Sequence, residues 1–112
     1  MSKPNRFYSK KQEIKVAKAL NMKRTPNSGA TTFLKGDVVG DEILIECKTL
    51  TRAQKQRTIR KEWLDKNKEE AFATGKRLSA LAFDFGDGEN YYILNEADFI
   101  TLLESYREVN RE

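Results

Sequence analysis

The stretch that decides the reading is Lys35-Gly36-Asp37-Val38-Val39-Gly40-Asp41-Glu42-Ile43-Leu44-Ile45-Glu46-Cys47-Lys48. Two β-rich runs flank Gly40-Asp41, a pair suited to a tight two-residue hairpin. With that turn, Val39 is expected opposite Glu42, Val38 opposite Ile43 and Asp37 opposite Leu44. Side chains alternate along a strand, so Glu46 and Lys48 share one face while Ile45 and Cys47 take the other. Opposed residues project to the same face, and diagonal neighbours lie ~7–8 Å apart. Asp37 is therefore expected beside Glu46, with Lys48 one step further on, above a face made by Ile43, Ile45 and Cys47.

Upstream, Ser9-Lys10-Lys11-Gln12 has the form of a capping box and predicts a helix that ends near Asn21. Glu13, Ala17 and Leu20 share one face of it, flanked by Ile14 and Val16. Pro26-Asn27-Ser28-Gly29 is loop chemistry, and Thr31-Thr32-Phe33-Leu34 suits a first strand. Downstream, Thr58 is the expected cap of a second helix carrying Ile59, Trp63, Leu64, Ala71 and Phe72, with Gly75 as its stop. Leu78 to Phe85 reads as a buried strand. Gly86-Asp87-Gly88 turns the chain into a strand at Tyr91-Tyr92-Ile93-Leu94, where one tyrosine is expected buried and one exposed. Asn95 caps a last helix with Phe99, Leu102, Leu103 and Tyr106 at i, i+3, i+4 and i+7. The order α-β-β-β-α-β-β-α predicts one α/β (α+β) domain over residues 1–112, a mixed sheet flanked by helices.

Composition narrows the chemistry. The 112 residues include no histidine and one cysteine. Triads that need histidine, His-ligated metals, disulfides and cysteine-rich metal sites are therefore excluded. Carboxylates, lysines, arginines, hydroxyls and oxygen-preferring metals remain. No apolar run is long enough to span a membrane, and the segment Met1 to Arg6 has no apolar stretch behind it. A soluble, intracellular protein of a prokaryotic cytoplasm or virus-infected cell is expected, with no membrane partner.

Charge is unevenly distributed. Residues 1–24 carry eight Lys or Arg against one acid, Glu13, whereas residues 84–112 carry two bases against eight acids. That asymmetry suggests one face for a polyanion and one turned away from it. The densest basic loop runs from Thr51 to Thr58 and contains Arg52, Lys55 and Arg57. It suits nucleic-acid phosphates, with a solvated surface loop as the plain alternative.

Two neighbouring carboxylates repel, and a hard divalent cation relieves that repulsion. Mg²⁺ commonly takes one or two carboxylates, waters and phosphate oxygens. Asp37, Glu46 and the Cys47 backbone carbonyl form such a donor set, with Glu13 a further acid, directly or through water. Lys48 would lie near the attacking water and the charge of a transition state. The alternative is an exposed Glu46–Lys48 ion pair with Asp37 as part of a turn.

Glu13 on the first helix, then Gly36-Asp37, then Glu46-Cys47-Lys48 resembles the PD-(D/E)XK nuclease superfamily, over roughly residues 9–94. Arg24 and Ser28 ahead of Asp37 look most like the Holliday junction resolvases of archaea and their viruses. Gly36 stands where that family has proline. The resemblance implies a restriction-endonuclease-like αβββαβ core and Mg²⁺ or Mn²⁺ held by Asp37, Glu46 and the Cys47 carbonyl. It also implies Lys48 as the residue that positions the water, Glu13 completing the acidic cluster, and a homodimer.

Arg6, Lys10, Lys11, Arg24, Ser28, Arg52, Lys55 and Arg57 are the expected DNA contacts. A turn hydroxyl is the alternative for Ser28, and a solvated helix face for Arg6, Lys10 and Lys11. Trp63 and Phe72 are expected in the core or at a dimer interface. Cys47 is expected as a small buried hydrophobe facing away from Glu46. The expected function is a Mg²⁺-dependent endodeoxyribonuclease that hydrolyses branched DNA. Two alternatives stand beside it, another replication, repair or restriction-type nuclease, and a non-catalytic nucleic-acid-binding protein on the same fold.

Overall fold

A computed structural model describes residues 4–25 and 37–111. The elements run α1 (Asn5–Leu20), β1 (Lys23–Arg24), β2 (Val38–Val39), β3 (Ile43–Lys48), α2 (Lys61–Ala73), β4 (Leu78–Phe83), β5 (Tyr91–Ile93) and α3 (Glu96–Val109). The strands form one mixed sheet in the order β1-β2-β3-β4-β5, antiparallel except for the β3–β4 pair. A parallel pair needs a long crossover, and α2 with its leading loop supplies it. The architecture is α+β, and its first strand is Lys23–Arg24, a segment not expected to be a strand. The strand expected over 31–34, the Pro26–Gly29 loop, Ser28 and Gly36 lie outside the described residues.

The two faces of the sheet are covered by different helices. Val16 of α1 packs with Val38, Ile45 and Ala82 in the buried core, with Ala17, Leu20, Ile43 and Cys47 around them. Alternation turns Leu44, Glu46 and Lys48 to the other face, where α2 lies. There the buried Asn67 Nδ2 donates to the carbonyls of Leu44 and Ala80, both at 3.1 Å. This amide ties α2 to the two central strands.

Helix boundaries depart from expectation where sequence caps gave way to chain context. α1 begins at Asn5 behind Pro4, with no side-chain cap, so Ser9 sits inside the helix. No breaker separates Pro4 from Ser9, and proline's fixed φ suits a helix entrance. The buried residues of α1 are Gln12 and Val16, while Ile14 is exposed. α1 ends as expected: Asn21 adopts a left-handed conformation (φ 55°) and Met22 N–H returns to the Ala17 carbonyl at 2.8 Å. α2 starts after Arg60, without a side-chain cap, leaving Thr58 and Ile59 outside the helix. It stops as expected at Gly75 (φ 77°), with Lys76 N–H bonded to the Ala71 carbonyl at 2.7 Å. Asn95 caps α3 through the Asp98 N–H at 2.8 Å.

Two packing expectations are corrected. Tyr91 and Tyr92 are both exposed, on β5 at the edge of the sheet. Phe72 is 85% exposed, so it is not a core residue. Phe99, Leu102 and Tyr106 on α3 also face solvent.

Candidate active site

The hairpin turns one residue later than expected. Val38 pairs with Ile45 and Val39 with Leu44, and Gly40 N–H bonds the Ile43 carbonyl at 2.9 Å, so Asp41 and Glu42 form the turn. Each residue's partner thereby moves two positions along β3. An even slip preserves which face every side chain takes. Asp37 N–H reaches the Ile45 carbonyl at 2.9 Å. Asp37 and Val38 thus both address Ile45, the two-against-one pattern of a bulge, a device that re-aims a side chain at a strand end.

Asp37 Oδ2 accepts the Cys47 N–H at 2.7 Å, which holds its carboxylate against β3 beside Glu46. Lys48 Nζ lies 3.4 Å from Glu46 Oε2 and 4.8 Å from the centre of the Trp63 ring. These groups open into a cavity of about 470 Å³ between β3 and α2, lined by Asp37, Glu46, Lys48, Trp63, Asn67 and Glu70, among others. Three of the four expected catalytic side chains therefore meet in one cleft.

The fourth, Glu13, stands at its margin. Its carboxylate pairs with Arg24 at 3.2 Å, and that guanidinium also acts on Asp37. Burial is the main cause that raises the Glu13 carboxyl, the Asp37 charge adds to it, and Arg24 opposes both. Arg24 thus neutralises acids at the edge of the cleft.

Electrostatics in the cleft are those of crowded carboxylates. Burial pushes Glu46 up to about 7, the Asp37 charge adds to that, and Lys48 opposes it. Asp37 is raised by burial too, but the Cys47 N–H, Lys48, a hydrogen bond with Glu46 and Arg24 all pull it down. Burial thus raises both carboxyls of the pair. The Cys47 thiol is raised, first by burial and then by Asp37, and its side chain packs toward the α1 core as expected.

Among the described residues, no group of three or more His, Cys, Asp or Glu side chains is arranged to hold a metal ion. The available donors are two carboxylates and the Cys47 carbonyl between Glu46 and Lys48 in the strand. Two partly dehydrated carboxylates that repel each other fit a hard, oxygen-preferring cation. Buried Asn67 Oδ1, on a residue that lines the same cleft, has no hydrogen-bond partner among the described residues.

Of the expected DNA contacts, Ser28 is outside the described residues, Arg24 is paired with Glu13, and the other six differ among themselves. Arg6, Lys10, Lys11, Arg52 and Lys55 are exposed. Arg57 turns inward: Nη1 donates to the Lys48 carbonyl at 3.2 Å and the Asp84 carbonyl at 2.6 Å, and its guanidinium lies 4.1 Å from the Phe83 ring centre. Asp84 is buried, accepting Thr49 Oγ1 at 2.8 Å and Gly86 N–H at 3.0 Å. Gln54 N–H bonds the Phe85 carbonyl at 2.8 Å. The 51–58 loop is thus stapled to the exits of β3 and β4, which its basic composition did not reveal.

Sequence reasoning also missed Asn67, Glu70 and Gln12. Trp63, Asn67 and Glu70 recur at i, i+4 and i+7, and polar residues on the inner stripe of a helix were the available signal. Gln12 Nε2, on α1, donates to the Lys48 and Ala82 carbonyls, both at 3.2 Å, and to Asn90 Oδ1 at 2.9 Å. No helix among the described residues is long and apolar enough to cross a membrane. Comparison with protein families, curated proteins and solved structures finds no match to this chain.

Proposed function

We propose that this chain is a metal-dependent DNA endonuclease of the PD-(D/E)XK kind, with a restriction-endonuclease-like core, acting as a homodimer on four-way or otherwise branched DNA. One observation carries the reading: Asp37 and Glu46 sit side by side on neighbouring strands, with the Lys48 ammonium 3.4 Å from Glu46. Asp37, Glu46 and the Cys47 carbonyl would hold Mg²⁺ or Mn²⁺. When bound, such a cation supplies charge stabilisation at the phosphate and a more acidic water.

The chain's own residues do the rest. Lys48, braced by Glu46 and the Trp63 ring, orients the attacking water and offsets charge on the phosphoryl oxygens. The water oxygen bonds to phosphorus, the bond to the leaving oxygen breaks, and that oxygen takes up a proton. Arg6, Lys10, Lys11, Arg52 and Lys55 supply phosphate contacts that carry no sequence information, as selection by shape requires.

The test is cleavage of labelled four-way junction and linear duplex with Mg²⁺ or Mn²⁺, with and without chelator. Junction-selective nicking that disappears in Asp37→Asn and Glu46→Gln is expected. Activity that survives both substitutions would refute the assigned site, and equal cutting of duplex and junction points to a repair or restriction-type nuclease.

A second reading, a nucleic-acid-binding protein without catalysis, draws on the Glu13–Arg24 ion pair, which occupies the acid that the nuclease reading wants in its cluster. Calorimetric titration with Mn²⁺ separates the two. Uptake that depends on Asp37 and Glu46 belongs to the nuclease alone.

A further inference from the structure

Outside the metal cleft, one face of α1 borders a second cavity. Tyr8, Lys11, Gln12 and Lys15 recur at i, i+3, i+4 and i+7, and all four line a space of about 390 Å³. The rest of its lining comes from the segments that follow β3 and β4, Thr49 and Gly88 among them. That volume falls in the ~300–1,000 Å³ range of small-molecule pockets.

Gln12 is 4% exposed, and the two ends of its amide are in different states. Nε2 is committed to the sheet, donating to the Lys48 and Ala82 carbonyls and to Asn90 Oδ1. Oε1 is buried and has no hydrogen-bond partner among the described residues. A buried acceptor in that state calls for a donor, from a ligand or from water. With Nε2 so held, the amide is not free to swing away and find one.

The surrounding charges narrow the ligand. Lys11 is exposed, and Lys15 Nζ donates to the Gly88 carbonyl with N–H groups to spare. Asp84 is already engaged by Thr49 Oγ1, the Gly86 N–H and Arg57, and Asp87 Oδ1 accepts the Glu89 N–H. A bare cation would face two ammonium groups, and a bare anion would offer Gln12 no donor. A ligand that satisfies both carries N–H donors on one part and negative charge on another. Tyr8, half-buried one turn before Gln12, adds a flat aromatic ring.

We propose that this cavity binds one unpaired nucleotide, its base against Tyr8 with an N–H on Gln12 Oε1, and its phosphate at Lys11 and Lys15. Bases stack on aromatic side chains whatever their identity. Each base also has an N–H on its Watson–Crick edge, an exocyclic amine in adenine and cytosine and a ring N–H in guanine and thymine. Pairing consumes those donors in a duplex, whereas an unpaired base offers them to a protein acceptor. The site therefore separates unpaired from paired more sharply than base from base. It deepens the nuclease reading by giving the branched substrate a recognised feature beside the Lys48 end of β3, and rests on that reading for DNA as the source of the nucleotide.

The test is binding with chelator present, so that nothing is cut. A labelled duplex with one bulged nucleotide, the same duplex fully paired, and dAMP are each titrated with the full chain. The bulged duplex should bind at least tenfold more tightly than the paired one. Tyr8→Ala should abolish that ratio and Tyr8→Phe should retain it, while Lys11→Ala with Lys15→Ala should weaken the bulged duplex more than the paired. Gln12 also fastens α1 to the sheet, so Gln12→Leu, which should lose the ratio, is read only beside circular dichroism. A photocrosslink from 5-iododeoxyuridine at the bulge to Tyr8 of the unaltered chain is the readout that needs no variant. Bulged and paired duplex bound alike with no uptake of dAMP, a ratio that survives Tyr8→Ala, or a crosslink that maps elsewhere overturns the proposal. Tyr8-dependent binding of dAMP without preference for the bulge keeps the nucleotide and overturns the strand as its source. A protein that selects the bulge but cuts no DNA when Mg²⁺ is supplied loses only the nuclease reading. One that cuts junctions yet is indifferent to the bulge loses only this pocket.

Discussion

The Asp37 carboxylate and the Cys47 N–H, ten residues apart in the chain, meet at 2.7 Å across the β2–β3 pair. One carboxylate oxygen thereby closes the strand pair while the group as a whole stays in the cleft with Glu46. Asp37 serves both the fold and the site, and its substitutions should separate the two roles.

Asp37→Asn keeps an oxygen for the Cys47 N–H but removes the charge. Mn²⁺ affinity should fall tenfold or more while the melting temperature changes little. Asp37→Ala also strands the N–H and should cost about 1–3 kcal/mol in addition. Thermal unfolding beside Mn²⁺ titration of Trp63 fluorescence checks both; equal destabilisation by the two variants would contradict the split.

The raised Glu46 carboxyl makes stability depend on pH in a definite direction. Its folded value, about 7, lies above the ordinary 4.5. Between those values the folded state holds a proton that the unfolded state has lost, so raising the pH through this window destabilises the metal-free protein. Denaturant unfolding from pH 5 to 7.5 should show that decline, and Glu46→Gln should flatten it. Mn²⁺ must displace the same proton, so its affinity should climb toward pH 7 and level off above.

Arg57 and its loop neighbours should behave oppositely under substitution. Arg57→Ala loses two carbonyl contacts and the ring contact, and leaves buried Asp84 with Thr49 and Gly86. Arg57 Nη1 also lies 4.0 Å from Asp84 Oδ1, and a cost of about 3–5 kcal/mol is expected, as for breaking a buried ion pair. Arg52→Ala and Lys55→Ala should leave stability within ~0.5 kcal/mol, and each should lower the salt dependence of DNA binding by about one unit of slope. Urea unfolding and DNA titrations at several salt concentrations test the contrast.

Gly86 is required where the loop crosses β4's exit. It has φ 82°, and a Cβ there would lie 2.2 Å from the Arg52 carbonyl oxygen. Gly86→Ala combines a left-handed penalty of about 1–2 kcal/mol with a backbone clash that the loop relieves by detaching. Faster amide exchange at Gln54, whose N–H bonds Phe85, is the expected signature.

What could be read from residues alone followed parity and periodicity. The face shared by Asp37, Glu46 and Lys48 was legible because an alternation of two survives the slip from a Gly40-Asp41 turn to Asp41-Glu42. The exact partner of Asp37 was not, because register depends on turn geometry and a bulge. Caps were legible at Asn21, Gly75 and Asn95, where the backbone leaves the helix. Ser9 and Thr58 misled because a capping residue acts only if the chain enters the helix there. The stripe of α3 predicted its helix correctly, but periodicity does not say what covers a face. Arg57 looked like its neighbours, since only the fold brings Asp84 to it.

The inward-turned Arg57 has a mechanical consequence. Its guanidinium fastens the basic loop to the main chain of Lys48, so the segment suited to gripping a polyanion and the lysine suited to reacting with it share one tether. A load on Arg52 or Lys55 is transmitted to the end of β3 within a few bonds. In the proposed nuclease, seizing a strand and aligning the ammonium would be a single motion, and a substrate held slackly would leave the lysine end unstrung.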